Sequence, residues 1–128
     1  MKATRFVYAS FAVAAPVILV LAACGASGPA PGTPEAFYVD LGCAKCHGNE
    51  REGLRSGPPL DNLQDRWREE SLVKYFRDPK AVMEATPRLK YMAEKYPIVM
   101  PAFPNTSDHD LYALARYVLD DSDQATEG

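Results

Sequence analysis

Apolar positions along this chain fall into short runs with a helical period, separated by prolines, glycines and capping residues. Phe37 and Leu41 lie four apart with Tyr38 beside them, while Thr33 stands before Pro34 as a cap before a first-turn proline, and Gly42 closes the run. From Glu69 to Asp78, Leu72, Tyr75 and Phe76 occupy i, i+3 and i+4, and Pro79 either ends that helix or opens the next turn. Thr86-Pro87 repeats the cap-then-proline signal ahead of Leu89 and Met92. The plainest pattern is the last: Ser107 is an N-cap, Asp108 and Asp110 suit the positive end of the helix dipole, and Leu111, Leu114, Ala115 and Val118 form one apolar face. No alternating strand pair is visible, and residues 49–62, rich in glycine and proline, predict an irregular loop. The expected fold class is all-α.

The N-terminal pattern is of another kind. Met1, Lys2 and Arg5 precede an uncharged run from Phe6 to Ala23, which reads as an export signal. It ends in Leu21-Ala22-Ala23-Cys24, a tetrad that resembles the bacterial lipobox, whose cysteine is lipidated and becomes the first residue after cleavage. An uncleaved anchor competes with this reading, but the run only just spans a hydrocarbon core of about 30 Å, and Pro16 and Tyr8 weaken such a helix. Either way the rest of the chain stands outside the cytoplasm, on the periplasmic side in a Gram-negative cell. The expected organisation is a lipoprotein signal peptide at 1–23, a lipidated Cys24 with a flexible tether at 24–33, a domain at 34–121 and an acidic tail at 122–128. Two or three acyl chains on Cys24 would hold the protein on a membrane almost permanently. The tether, Gly25 to Thr33, has no large apolar residue; at about 3.1 Å per residue it lifts the domain on the order of 25 Å from the lipid.

Composition narrows the field further. The 128 residues carry 14 Lys+Arg against 17 Asp+Glu, a net charge of -3, and 47% are hydrophobic. That excludes a disordered polymer and a multi-span membrane protein, and the mildly acidic balance is no general invitation to nucleic acid. Loss of residues 1–23 leaves 12 basic residues against 17 acidic, so the exported part is acidic. A core this small asks for added support from a disulfide, metal or cofactor.

Cys43-Ala44-Lys45-Cys46-His47, directly after the first helix, is the candidate chemistry. Two thiols three positions apart can add to the two vinyl groups of a haem, with the adjacent imidazole beneath the iron. A structural zinc would need four ligands, and beyond this pentapeptide only His109 and Cys24 remain. A thioredoxin-like pair wants a preceding strand and a βαβ context. A simple disulfide leaves His47 unexplained.

With these residues the chain resembles the class I, single-haem c-type cytochromes, here carried as a lipoprotein, over roughly Thr33 to Asp121. The resemblance implies a small helical bundle wrapped around one covalently bound haem c, attached at Cys43 and Cys46. It further implies that His47 is an axial iron ligand and that the Pro58 carbonyl of Gly57-Pro58 accepts a hydrogen bond from it. Leu60 resembles the loop leucine that packs on the haem, and Tyr38, Leu114 and Tyr117 the residues through which the first and last helices cross. The candidates for the sixth ligand are Met83, Met92, Met100 and His109. Met100 is preferred, because Met100-Pro101-Ala102-Phe103 is similar to the family's distal methionine motif and two prolines stiffen the loop that presents it. Met83 and Met92 fall on helices, where methionine more often packs, and His109 sits in a solvated first turn. Trp67, the sole tryptophan, resembles a residue that donates its indole N–H to a haem propionate, with plain packing as the alternative. The stretch Thr86 to Tyr96 is longer than in the most compact members and covers a haem edge or forms a partner surface.

Two axial ligands would leave the iron no open position, so the implied role is electron transfer rather than enzymatic turnover. The expected partners are a quinol-oxidising complex and a terminal oxidase or reductase, with the protein a monomer or the subunit of a complex. A fixed haem subunit of a larger membrane oxidoreductase is the second reading, for which an apolar face of Leu89, Met92 and Tyr96 would speak. A gas sensor or small peroxidase, needing an exchangeable sixth ligand, is the third. Between Lys45 and Lys95 there are 11 basic residues against 9 acidic, while Asp120, Asp121, Asp123 and Glu127 cluster at the end, a division able to steer partners in a salt-dependent way.

Overall fold

A computed structural model describes residues 28–120. The expected signal segment, Cys24 with most of the tether, and the acidic tail lie outside the described residues. Those described form six α-helices and one 3-10 turn, and hold no strand beyond an isolated bridge between Leu54 and Gly57. The fold is all-α.

Each helix begins where the chain supplies a cap. The Thr33 hydroxyl accepts from the Ala36 N–H at 3.2 Å to start α1 (Pro34–Asp40). A single turn, α2 (Ala44–His47), follows and holds the second cysteine and the histidine. After the 3-10 turn Leu63–Asp65 comes α3 (Glu69–Arg77). The ambiguity at Pro79 resolves toward a new helix: the Asp78 carboxylate accepts from the Ala81 N–H at 3.0 Å and Pro79 takes the first position of α4 (Pro79–Ala85). Pro87 opens α5 (Pro87–Lys95) in the same way. Ser107 caps α6 (Asp108–Leu119), its hydroxyl accepting from the Asp110 N–H at 3.1 Å.

Helix α6 is the spine, packed against both α1 and α3, with α4 laid on α3 and α5 on α4. Its apolar face is the one the periodicity predicts: Leu111, Leu114, Ala115 and Val118 are buried, together with Leu72, Val73 and Phe76 from α3. Full burial of such side chains stabilises by about 1.5–3 kcal/mol each. Where α1 meets α6 the rings of Tyr38 and Tyr117 meet edge to face, 5.7 Å between centroids. No described helix is long and apolar enough to cross a membrane.

Candidate functional site

The turn that carries the cysteines is held from below by the loop that follows it. Gly53 N–H donates to the His47 carbonyl at 2.7 Å, and Leu60 N–H to the Arg51 carbonyl at 2.9 Å. The loop thereby doubles back under α2. His47 Nδ1–H donates to the Pro58 carbonyl at 2.7 Å; a carbonyl can only accept, so the tautomer is fixed and Nε2 is the nitrogen left for a metal. Burial holds the imidazole below its usual range, and the Pro58 carbonyl offsets only part of this, so the ring is in its neutral, metal-binding form. Gly57 allows the close approach, because a Cβ there would lie 2.8 Å from the Cys46 carbonyl oxygen.

Cys43 and Cys46 are both free thiols. Burial pushes the Cys43 thiol up to about 11, which leaves it protonated at neutral pH. A protonated thiol brings both the sulfur and the hydrogen that addition across a vinyl group consumes.

Both cysteines and His47 open onto one cavity of about 570 Å³, within the range of a cofactor site. Leu60, Trp67, Met100 and Phe103 line it too, so the loop, the 3-10 region and the α5–α6 connection converge on the cysteine turn as the motifs suggest. All three candidate methionines reach this wall, Met83 from α4, Met92 from α5 and Met100 from the loop. His109 does not: it is exposed beside Asp110 at the start of α6, its Nδ1 3.2 Å from the carboxylate.

The lining fits a flat apolar group that carries acids. Trp67 is only 8% exposed, and its indole N–H meets no protein acceptor among the described residues. Its ring packs on Tyr75, 5.3 Å between centroids, with the Arg88 guanidinium 5.3 Å above it. Lys45, Arg66, Arg88 and Lys95 line the cavity against one carboxylate, Asp61. The cations and the unpaired indole donor match the two propionates of a haem; the apolar remainder matches its macrocycle.

In helix α5 and its C-cap, within the long 86–96 stretch, Leu89, Met92 and Tyr96 line the cavity. The residue that α5 leaves well exposed is Tyr91.

Arg51 is the residue that sequence reasoning missed. It sits in a polar loop, yet is 2% exposed, with φ +64°, and its guanidinium donates to the carbonyls of Tyr117 and Asp120 at 2.6 and 2.7 Å. The same group lies 4.7 Å over the Tyr117 ring. It fastens the loop under the cysteine turn to the C-terminal end of α6, where a cation suits the helix dipole. Tyr38 adds a second tie, its buried hydroxyl donating to the Gly48 carbonyl at 2.8 Å.

No curated protein and no solved structure matches the chain. The family model described as cytochrome c matches residues 35–121, about two thirds of the sequence, and spans every residue placed on the cavity wall. A turn with two thiols and an oriented imidazole, opening onto an apolar cavity inside that match, has one reading: the chain belongs to the cytochrome c family of electron-transfer proteins, which hold haem c covalently.

Proposed function

We propose that the protein is a single-haem electron carrier of the class I type, tethered by lipidated Cys24 to a bacterial membrane on its extracytoplasmic side. In this reading Cys43 and Cys46 form the thioethers, and His47 and Met100 are the axial ligands. The observation that carries it is the 2.7 Å bond from His47 Nδ1 to Pro58 O, which aims the other ring nitrogen with no rotation left to lose. Met100 is favoured over Met83 and Met92 because it stands on a connection between helices, where no helical geometry dictates the side chain's direction.

A bound haem supplies reversible one-electron chemistry at its iron, with a potential raised by neutral histidine and thioether ligands and by burial. The chain's contribution is positional. His47 and Met100 would both hold the iron and so leave no position for a gas or peroxide. The apolar wall from Leu60, Leu72, Phe76, Leu89 and Phe103 keeps water from the macrocycle, so little must reorganise when charge changes. Electrons would pass from a quinol-oxidising complex to a terminal oxidase or reductase, singly and by outer contact. Lys45 and Lys95 on the cavity wall would bias encounters toward acidic partners in a salt-dependent way.

The deciding experiment uses the haem-loaded full chain in mild detergent, with absorption spectra of both redox states recorded with and without carbon monoxide. A wild type inert to carbon monoxide, beside a Met100→Ala variant that binds it, is the expected result. Binding by the wild type would replace electron transfer with gas sensing or peroxide chemistry. Loss of membrane association in Cys24→Ser tests the tether.

A further inference from the structure

The connection between α5 and α6 carries Met100, and although Met100 and Phe103 pack against the core, few backbone hydrogen bonds tie it to the helices. Three prolines, Pro97, Pro101 and Pro104, remove donors from its backbone. Among the described residues, its backbone bonds to the neighbouring helices fall at the two ends: Tyr96 N–H to the Met92 carbonyl at 2.8 Å and Phe103 N–H to the Phe76 carbonyl at 2.8 Å. Met100 hangs between these anchors, with Ile98 and Val99 beside it exposed. A thioether is a weak ligand, so its place depends on how firmly those anchors hold.

The second anchor is reinforced by a single side chain. Arg77, in the last turn of α3, donates through Nη1 to the Phe103 carbonyl at 3.2 Å and the Pro104 carbonyl at 2.7 Å, and through Nη2 to the Asp108 carboxylate at 2.6 Å. Its three acceptors are the exit of the Met100 loop and the first turn of α6. The planar guanidinium meets the two carbonyls through Nη1 and the carboxylate through Nη2, a division between two fixed nitrogens that the single nitrogen of an ammonium does not offer.

We propose that Arg77 is a positioning residue for the axial methionine: by pinning Phe103, Pro104 and Asp108 to the end of α3, it holds the loop closed with Met100 at the cavity. The proposal rests on the reading of Met100 as the sixth ligand. The side chain is 29% exposed, so its bonds are partly screened. Together they still set the balance between closed and swung-out loops at roughly one decade or more, because one hydrogen bond to a charged group is worth about that much.

Imidazole binding to the oxidised, haem-loaded full chain reads this balance, since imidazole takes the iron only when the loop has left. Arg77→Ala is expected to bind imidazole roughly tenfold more tightly than wild type, with a weakened methionine-to-iron absorption in the far red. Arg77→Lys should lie between the two, and carries the test if the alanine variant is not recovered with haem. Arg116→Ala is the comparison: Arg116 joins α6 to α3 through Glu69 at 3.2 Å without touching the loop, and should bind imidazole as wild type does. Met100→Ala sets the open-loop limit. Wild-type affinity in both Arg77 variants, with Met100→Ala raised, overturns the assignment of Arg77 and leaves Met100 standing. Equal gains in Arg77→Ala and Arg116→Ala overturn it too, by tracing the effect to helix docking in general. If Met100→Ala gains nothing, the axial reading itself fails and Arg77 falls with it.

Discussion

Replacing Arg51 with alanine is expected to cost the haem-loaded protein about 3–5 kcal/mol, because it removes two buried charge-assisted hydrogen bonds and leaves their carbonyl acceptors unsatisfied. Among the described residues, two charge-assisted bonds to Tyr117 O and Asp120 O, at 2.6 and 2.7 Å, go together with the contact over the Tyr117 ring. Each bond alone is worth about 1.5–3 kcal/mol and the ring contact up to about 2 kcal/mol when desolvated. They share one desolvation cost, however, and do not add. The backbone does not confuse the comparison, because at φ +64° arginine and alanine bear the same left-handed penalty. Urea unfolding of wild type and variant, followed by far-ultraviolet circular dichroism, gives the difference directly. In a thermal scan it corresponds to a fall of roughly 12–40 °C for a domain of this size. Arg51→Lys should recover only part of the loss, since one Nη1 meets both carbonyls and an ammonium in its place could reach them, but an ammonium has no planar face to lay on the Tyr117 ring. A loss below about 1 kcal/mol in the alanine variant, or full recovery with lysine, would refute the reasoning: the arginine would then be a filler of space or a bare point charge.

Gly57→Ala should impair the cysteine turn itself, because its Cβ would press the Cys46 carbonyl oxygen at 2.8 Å and the carbonyl carbon at 3.1 Å. A cost of about 1–3 kcal/mol, with a smaller share of chains recovered carrying covalent haem, is the expected outcome; a melting curve that overlays the wild type would count against the close fit. Asp110 gives a pH signature. Hydrogen bonds from Ser107 and then His109 hold its carboxyl below its ordinary 3.8, so the stabilisation is complete above that value and fades as pH falls through the lower folded-state value. The stability gap between wild type and Asp110→Asn should be constant at neutral pH and close as acid is added below pH 3.8; a gap that persists in strong acid would show that the charge is irrelevant.

What the sequence disclosed and what it hid divide along one physical line. Caps and first-turn prolines are local signals, so Thr33, Pro34, Pro87 and Ser107 announce their helices. The apolar face of α6 is likewise written at a helical period. At Pro79 local information gave two answers, and only the Asp78 carboxylate on the Ala81 N–H decided between them. Arg51 and Arg77 were invisible for a stronger reason: an arginine in a polar stretch reads as solvated, and its acceptors lie 66–69 and 26–31 residues downstream. The cysteine pentapeptide named the chemistry, and Met100, Trp67 and Phe103 do line the cavity it predicts. The cationic lining from Arg66 and Arg88 carried no spacing that could have marked it.

The cysteine turn is also local in the chain. Tyr38 O–H to Gly48 O, Gly53 N–H to His47 O and His47 Nδ1–H to Pro58 O all join residues within eleven positions of one another, and short loops close at small entropic cost. None of these three contacts needs a residue beyond Pro58. The bolt from Arg51 to Tyr117 and Asp120 can slide home only when the last helix arrives. The turn and the bolt thus differ in reach: one is complete within the first half of the domain, while the other joins that half to its far end.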